Sequence, residues 1–207
     1  MSVTVTAMTA FPLSNVRLPG RKILIMVFIF AWLFDPGLVP SYLLVRELRL
    51  ADTLWALILP PLLLVFFMLL MKNYFEGIPE DLIDAARIDG ATNTRVLFRI
   101  ILPISLPVVA TISLFYAISY WNSYFLARLY ITTPNLKPLQ LYLFELVTEL
   151  EQADQRQLET ATDQLLRAPL PSIRAASVLV SVVPIAIVYP FLQKYFAKGL
   201  VVGSVKG

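Results

Sequence analysis

The sequence predicts an all-α, polytopic membrane helical bundle, and three observations carry that prediction. Of 207 residues, 58% are hydrophobic and only 15% are charged, against about 25% charged in soluble domains. Two uncharged runs, Thr53 to Met71 and Ile100 to Leu126, reach the roughly 20 residues that a helix needs to cross a bilayer. The hydrophilic insert between them has helical grammar of its own. With the apolar stretches on either side, this gives about four complete spans, at about 23–37, 53–71, 102–126 and 174–196.

Charge and residue usage then exclude several chemistries. The formal net charge is +3, but Lys and Arg flank apolar runs instead of forming one patch. That is the positive-inside pattern and not a nucleic-acid surface. The chain has no Cys and no His, which removes disulfides, thiolate chemistry, His-based metal sites and His acid–base catalysis. No catalytic residue and no metal site is predicted. A G-x-x-x-x-G-K-[ST] phosphate loop is absent too, so any ATP must be handled by another chain.

Residues 1–13 are apolar and small but too short to cross a bilayer, and no charged region precedes them as in a signal peptide. The loop Ser14 to Lys22 follows, with Arg17, Arg21 and Lys22. Ile23 to Phe34 is apolar until Asp35-Pro36-Gly37 breaks it. That run covers only about 18 Å as a helix, against about 30 Å of hydrocarbon. The span must borrow residues, and Leu38 to Leu50 are expected as a helix in the outer interface. Asp35 is either an intramembrane ionisable site or a turn residue, and its Pro-Gly context favours the turn.

In the run 53–71, Pro60-Pro61 should bend or break the helix. Such breaks either flank a transport pathway or are packing kinks, and both readings stay open. The insert 72–101 reads as helix, bend, helix. Pro79 suits a first helical position, Glu80 and Asp81 load the first turn, and Leu82, Ile83, Ala85 and Ala86 form an apolar, small face. Gly90 ends that helix. Thr92 or Asn93 can cap a second one carrying Val96, Leu97, Ile100 and Ile101, with Pro103 where the next span begins.

The run 102–126 is the most polar span. Ser113, Tyr116, Tyr120 and Ser123 follow steps of three and four, which places them on one helical face. With Trp121 and Asn122 they are the candidate substrate-pathway residues, since stacking and hydroxyl groups suit a sugar ring. Trp121 and Tyr124 equally fit an interfacial belt. Segment 128–173 has a helical middle from Leu139 to Leu166, and its Glu and Asp residues outnumber its basic ones, as on an outer face. After the last span, Lys194, Lys198 and Lys206 fall on the same side as Arg87, Arg95 and Arg99. Both ends and the insert are therefore expected to be cytoplasmic.

Asp84-Ala85-Ala86, then Gly90, then Ile101-Leu102-Pro103 resembles the EAA loop of binding-protein-dependent ABC importer permeases, the MetI-like family, with Asp84 in place of Glu. Ile88-Asp89-Gly90-Ala91 and the ending from Lys198-Gly199 to Val205-Lys206-Gly207 resemble its carbohydrate-uptake branch. The resemblance implies a coupling helix that docks into a groove of an ATP-binding subunit, with Asp84, Ala85, Ala86, Gly90, Leu102 and Pro103 as the coupling residues. It also implies a pair of ATP-binding subunits, a second permease subunit and an extracytoplasmic solute-binding protein that meets 128–173. No cofactor is expected on this chain, and the location is the bacterial plasma membrane, in contact with lipid. Members of the family usually have more spans, so 1–22 resembles the remnant of a span with its cytoplasmic loop, and 23–207 the permease transmembrane domain. Two other readings stand beside an importer subunit: an inactive truncated fragment, and a stand-alone secondary transporter. The latter ranks lower, because such proteins place carboxylates within their spans.

Overall fold

A computed structural model describes residues 1–159 and 170–199, and all regular structure among them is helical. The chain forms two compact units. Among the described residues, one comprises 1–43, 58–117 and 192–199; the other comprises 44–57, 118–159 and 170–191.

The first unit is built on a pair of helices, α1 (Ser2–Ser14) and α5 (Val65–Glu76). From α1 the residues Ser2, Thr6, Ala7, Ala10 and Leu13 are buried, at steps of three and four along one face. Their small size lets the backbones approach, the usual basis of helix association where no water drives burial. From α5 the buried residues are Met68, Met71 and Phe75, and Phe11 meets Phe75 edge to face with ring centroids 6.5 Å apart. α2 (Arg21–Leu33) follows and buries no residue. It ends where Asp35 Oδ1 accepts the Gly37 N–H at 2.8 Å, a side-chain turn that leaves Gly37 at φ +84°. Asp35 is thus a turn residue. Beyond it α3 (Leu38–Glu47) leaves at 108° to α2.

Both long apolar runs are broken, the first where Pro60-Pro61 predicts it. The run 53–71 contains only one helical turn, α4 (Trp55–Ile58), before residues 59–64 lose helical form and α5 begins. Pro60 and Pro61 lie inside that break, where two successive missing N–H donors stop the ladder. The run 102–126 is broken as well. The helix from Asn93 to Ile104 and α9 (Leu106–Trp121) meet at 89°. Pro107 has no N–H, and its ring would clash with the carbonyl of Pro103 in a continuous helix. The turn at Ser105 (φ −93°, ψ 16°) avoids that clash. Among the described residues no single helix is long and apolar enough to cross a membrane alone; α2 with α3, and Asn93–Ile104 with α9, meet the requirement as bent pairs.

The second unit contains α10 (Tyr124–Tyr130), a 3-10 turn (Pro134–Leu136) and α11 (Leu139–Glu159). Most of α12 (Leu170–Gly199) also belongs to it. Leu57, Ala127, Ile131 and Leu141 form its core, with Leu126 and Leu136 packed against them. Asp52, at φ 57°, clamps the chain after α10. Its Oδ1 accepts the N–H groups of Thr132 and Thr133 at 2.9 and 2.8 Å, and its Oδ2 accepts the Thr133 hydroxyl at 2.6 Å. These bonds, that from the Thr133 hydroxyl above all, lower the Asp52 pKa from 3.8 to about 2. The expected helix 139–166 is seen to Glu159; its remainder, and the ending 200–207, lie outside the described residues.

Candidate coupling site and membrane interior

The insert forms a helical hairpin. α6 (Glu80–Ile88) starts one residue later than expected: Pro79 is its N-cap, with extended ψ of 130°, and not its first helical residue. Glu80 and Asp81 occupy the first turn and Arg87 the last, the distribution that the helix dipole favours. The end is a Schellman motif. The Ala91 N–H bonds to Ala86 O at 2.9 Å and the Gly90 N–H to Arg87 O at 3.0 Å, with Gly90 left-handed at φ +77°. A Cβ there would meet nothing within 4 Å. Backbone conformation alone therefore selects glycine.

Of the two candidate caps it is Thr92 whose side chain serves, accepting the Arg95 N–H at 3.4 Å. The second helix runs as α7 (Asn93–Val96), a π turn (Leu97–Ile101) and α8 (Leu102–Ile104). The π turn widens the backbone where the Pro103 ring would press on the preceding turn.

Four of the coupling residues share α6 and its cap. Asp84 faces Arg87, Oδ1 to Nη1 at 3.3 Å. Ala85 is exposed, Ala86 is buried in the unit, and Gly90 is exposed. Ala86 therefore supports the hairpin from inside, and the surface of the tip is carried by Ile88, which is 87% exposed. Leu102 and Pro103 lie at the far end of the second helix, in α8. A cavity of about 330 Å³ lies under the hairpin, with Phe11, Arg17, Phe75, Ile83, Asp84 and Leu97 in its wall.

Of the four residues expected to share a face, Ser113, Tyr116 and Tyr120 lie on α9 and Ser123 falls beyond its end. Tyr116 is buried, and its hydroxyl bonds Thr6 Oγ1 at 2.8 Å and accepts the Leu64 N–H at 3.0 Å. Leu64 is the last residue of the break before α5, so Tyr116 satisfies an amide that the break leaves outside a helical ladder. Ser113, half-buried, donates to Val109 O in its own helix. Ser123 lies beyond the end of α9, in the turn before α10, and donates to Tyr120 O. Tyr120 is half-buried and Asn122 exposed. The Trp121 Nε1–H donates to Ser181 O at 3.1 Å. Sequence reasoning missed Thr6, Glu76 and the buried Ser105, whose Oγ has no hydrogen-bond partner among the described residues. Thr6 and Tyr116 are 110 residues apart, and no local pattern links them.

The sequence profile of binding-protein-dependent transport system inner membrane components matches residues 3–202. This chain belongs to that family. Its members are transport permeases and not enzymes, and they are components of the inner membrane. Among similar proteins of Bacillus subtilis (strain 168), the polygalacturonan/rhamnogalacturonan transport system permease protein YtcP is 40% identical over 209 residues, covering 100% of this chain and 72% of YtcP. Protein LplC is 44% identical over 198 residues, covering 96% of this chain and 66% of LplC. A crystal structure of a bacterial ABC transporter involved in the import of the acidic polysaccharide alginate contains a chain of 32% identity and TM-score 0.82. That match covers 94% of this chain and 69% of the other. The permease thus spans between two thirds and three quarters of the length of YtcP and of the alginate-importer chain, and 66% of LplC.

Proposed function

We propose that this chain is a transmembrane permease subunit of an ATP-binding-cassette importer and that its substrate is a sugar or oligosaccharide delivered by an extracytoplasmic binding protein. The observation that carries the coupling part is the hairpin 80–104. A glycine-capped helix presents one almost fully exposed apolar side chain, Ile88, which is what a docking tip needs and a solvated loop does not. For the substrate class, support comes from the polysaccharide permeases and importer that the chain resembles.

The ATP-binding subunits form a pair, hydrolyse the ATP, and move the hairpin as they close. The bundle, completed by a second permease subunit, then rocks between inward and outward access. Both ends and the hairpin face the cytoplasm, and the acidic segment around α11 faces the binding protein. Ser113, Tyr116, Tyr120, Trp121, Asn122 and Ser123 remain the pathway candidates. No nucleic acid and no cofactor on this chain takes part.

Co-purification from membranes tests the reading. The tagged chain should bring down an ATP-binding subunit and a second permease. Ile88→Asp should release the ATP-binding subunit while leaving membrane insertion intact, because the side chain touches little of its own fold. Gly90→Pro should do the same, since proline reaches only φ near −65° and loses the N–H bonded to Arg87. Full retention by both variants would sink the docking assignment.

A further inference from the structure

Two arginines, Arg17 in the connection between α1 and α2 and Arg21 at the start of α2, reach the two residues that flank the short linker from α5 to the hairpin. Arg21 opens α2; its guanidinium pairs with Glu76 Oε1, and its Nε donates to Leu13 O at 2.7 Å. Lys72 Nζ, one turn back on α5, meets the same Glu76 oxygen at 2.8 Å. One carboxylate thus holds two cations. Arg17 Nη2 pairs with Glu80 Oε2 at 2.9 Å. Glu76 is the last residue of α5 and Glu80 the first of α6, with Gly77, Ile78 and Pro79 between them. Each end of the linker is therefore tied to the same stretch of chain.

A hairpin docked on a moving partner delivers force at its base. If the linker gave way, rotation about Gly77 would absorb the displacement. We propose that residues 15–21 form a strap that makes the hairpin, α1 and α5 move as one body, with Arg21 and Glu76 as positioning residues for energy coupling. The strap rests on the coupling role proposed above. Its two ties differ in strength. The Arg17–Glu80 side chains are 68% and 53% exposed, and such pairs are weak. Arg21 and Glu76 are 19% and 28% exposed, so this tie carries more. Arg21 also uses the geometry of its fork, since the tie to Leu13 leaves through Nε while the tie to Glu76 leaves through Nη2; a lysine can hold only one of these ends at a time.

The test measures ATP hydrolysis and sugar uptake together, in the transporter assembled in liposomes. Arg21→Gln and Glu76→Gln should retain the ATP-binding subunit and hydrolyse ATP, while uptake per ATP falls several-fold. Arg21→Lys, which keeps the charge but can hold only one of the two ends at a time, should recover part of that ratio, and Arg17→Ala should change it least. An unchanged ratio would overturn the strap, as would a fall in assembly with the ratio preserved, because both describe residues that matter only for folding.

The chain has no Cys, which permits a second measurement. Arg17→Cys with Glu80→Cys, bridged by a short bis-maleimide, should still transport. If bridging stops uptake that the unbridged pair supports, the loop and hairpin move apart and the proposal fails. Absence of the ATP-binding subunit from the wild-type assembly would be a failure of the coupling reading, and the strap would fall with it.

Discussion

α2 and α5 are of nearly the same length, 13 and 12 residues, and both are strongly apolar, yet they live in different surroundings. α5 puts Met68, Met71 and Phe75 into a packed seam, whereas α2 buries nothing. The difference lies in the neighbour. α1 offers α5 a face of Ser2, Thr6, Ala7, Ala10 and Leu13, narrow enough for close approach, and among the described residues no comparable face meets α2. Apolar character alone therefore does not decide whether a helix packs within its own chain. Packing is reported by small residues on its partner.

Four measurements can break or sharpen that contrast. Met68→Ala opens a cavity in the seam and should cost about 2–5 kcal/mol in a detergent unfolding titration. Tyr116→Phe leaves the half-buried Leu64 amide without its acceptor and should cost about 1–3 kcal/mol by the same titration; no loss would mean that water reaches that amide. The acid test concerns the other unit. Since the Asp52 pKa is lowered, its clamp stabilises fully above pH 3.8 and is lost as pH falls through about 2. Hydrogen exchange at residues 130–133 should rise over that window. The α1–α5 seam, whose buried side chains carry no charge, should keep its protection. Phe30→Ala on α2, where the ring is 61% exposed, should change stability by no more than about 0.5 kcal/mol. A loss as large as that for Met68→Ala would erase the distinction between the two helices.

What could be read from the sequence was whatever neighbouring residues decide. The Asp35 turn, the interruption at Pro60-Pro61, the Gly90 cap and the Thr92 cap are each set by a backbone donor or a φ value within a few positions. Longer-range features were not legible. Pro107 was visible and calls for a break near Ser105, but that local clash fixes no angle, and the 89° between the two helices was not legible. The stripe Ser113, Tyr116, Tyr120 and Ser123 assumed an unbroken helix, and α9 stops at Trp121. Ala86 read as part of a docking surface because it is small; the structure uses that smallness inward. The tie from Arg21 to Glu76 joins residues 55 apart, and a positive flank looks the same in sequence whether or not its charge is paired.

The bond between Tyr116 and the Leu64 amide bears on how the protein is made. The two residues are 52 positions apart, which at ribosomal speed is about 3–10 s of synthesis. During that interval the interrupted segment 59–64 has no hydroxyl from α9 to complete it, and lipid supplies no substitute. The Leu64 amide therefore gains this acceptor only once α9 has been made, and leaving it dry and unpaired until then costs about 1–3 kcal/mol.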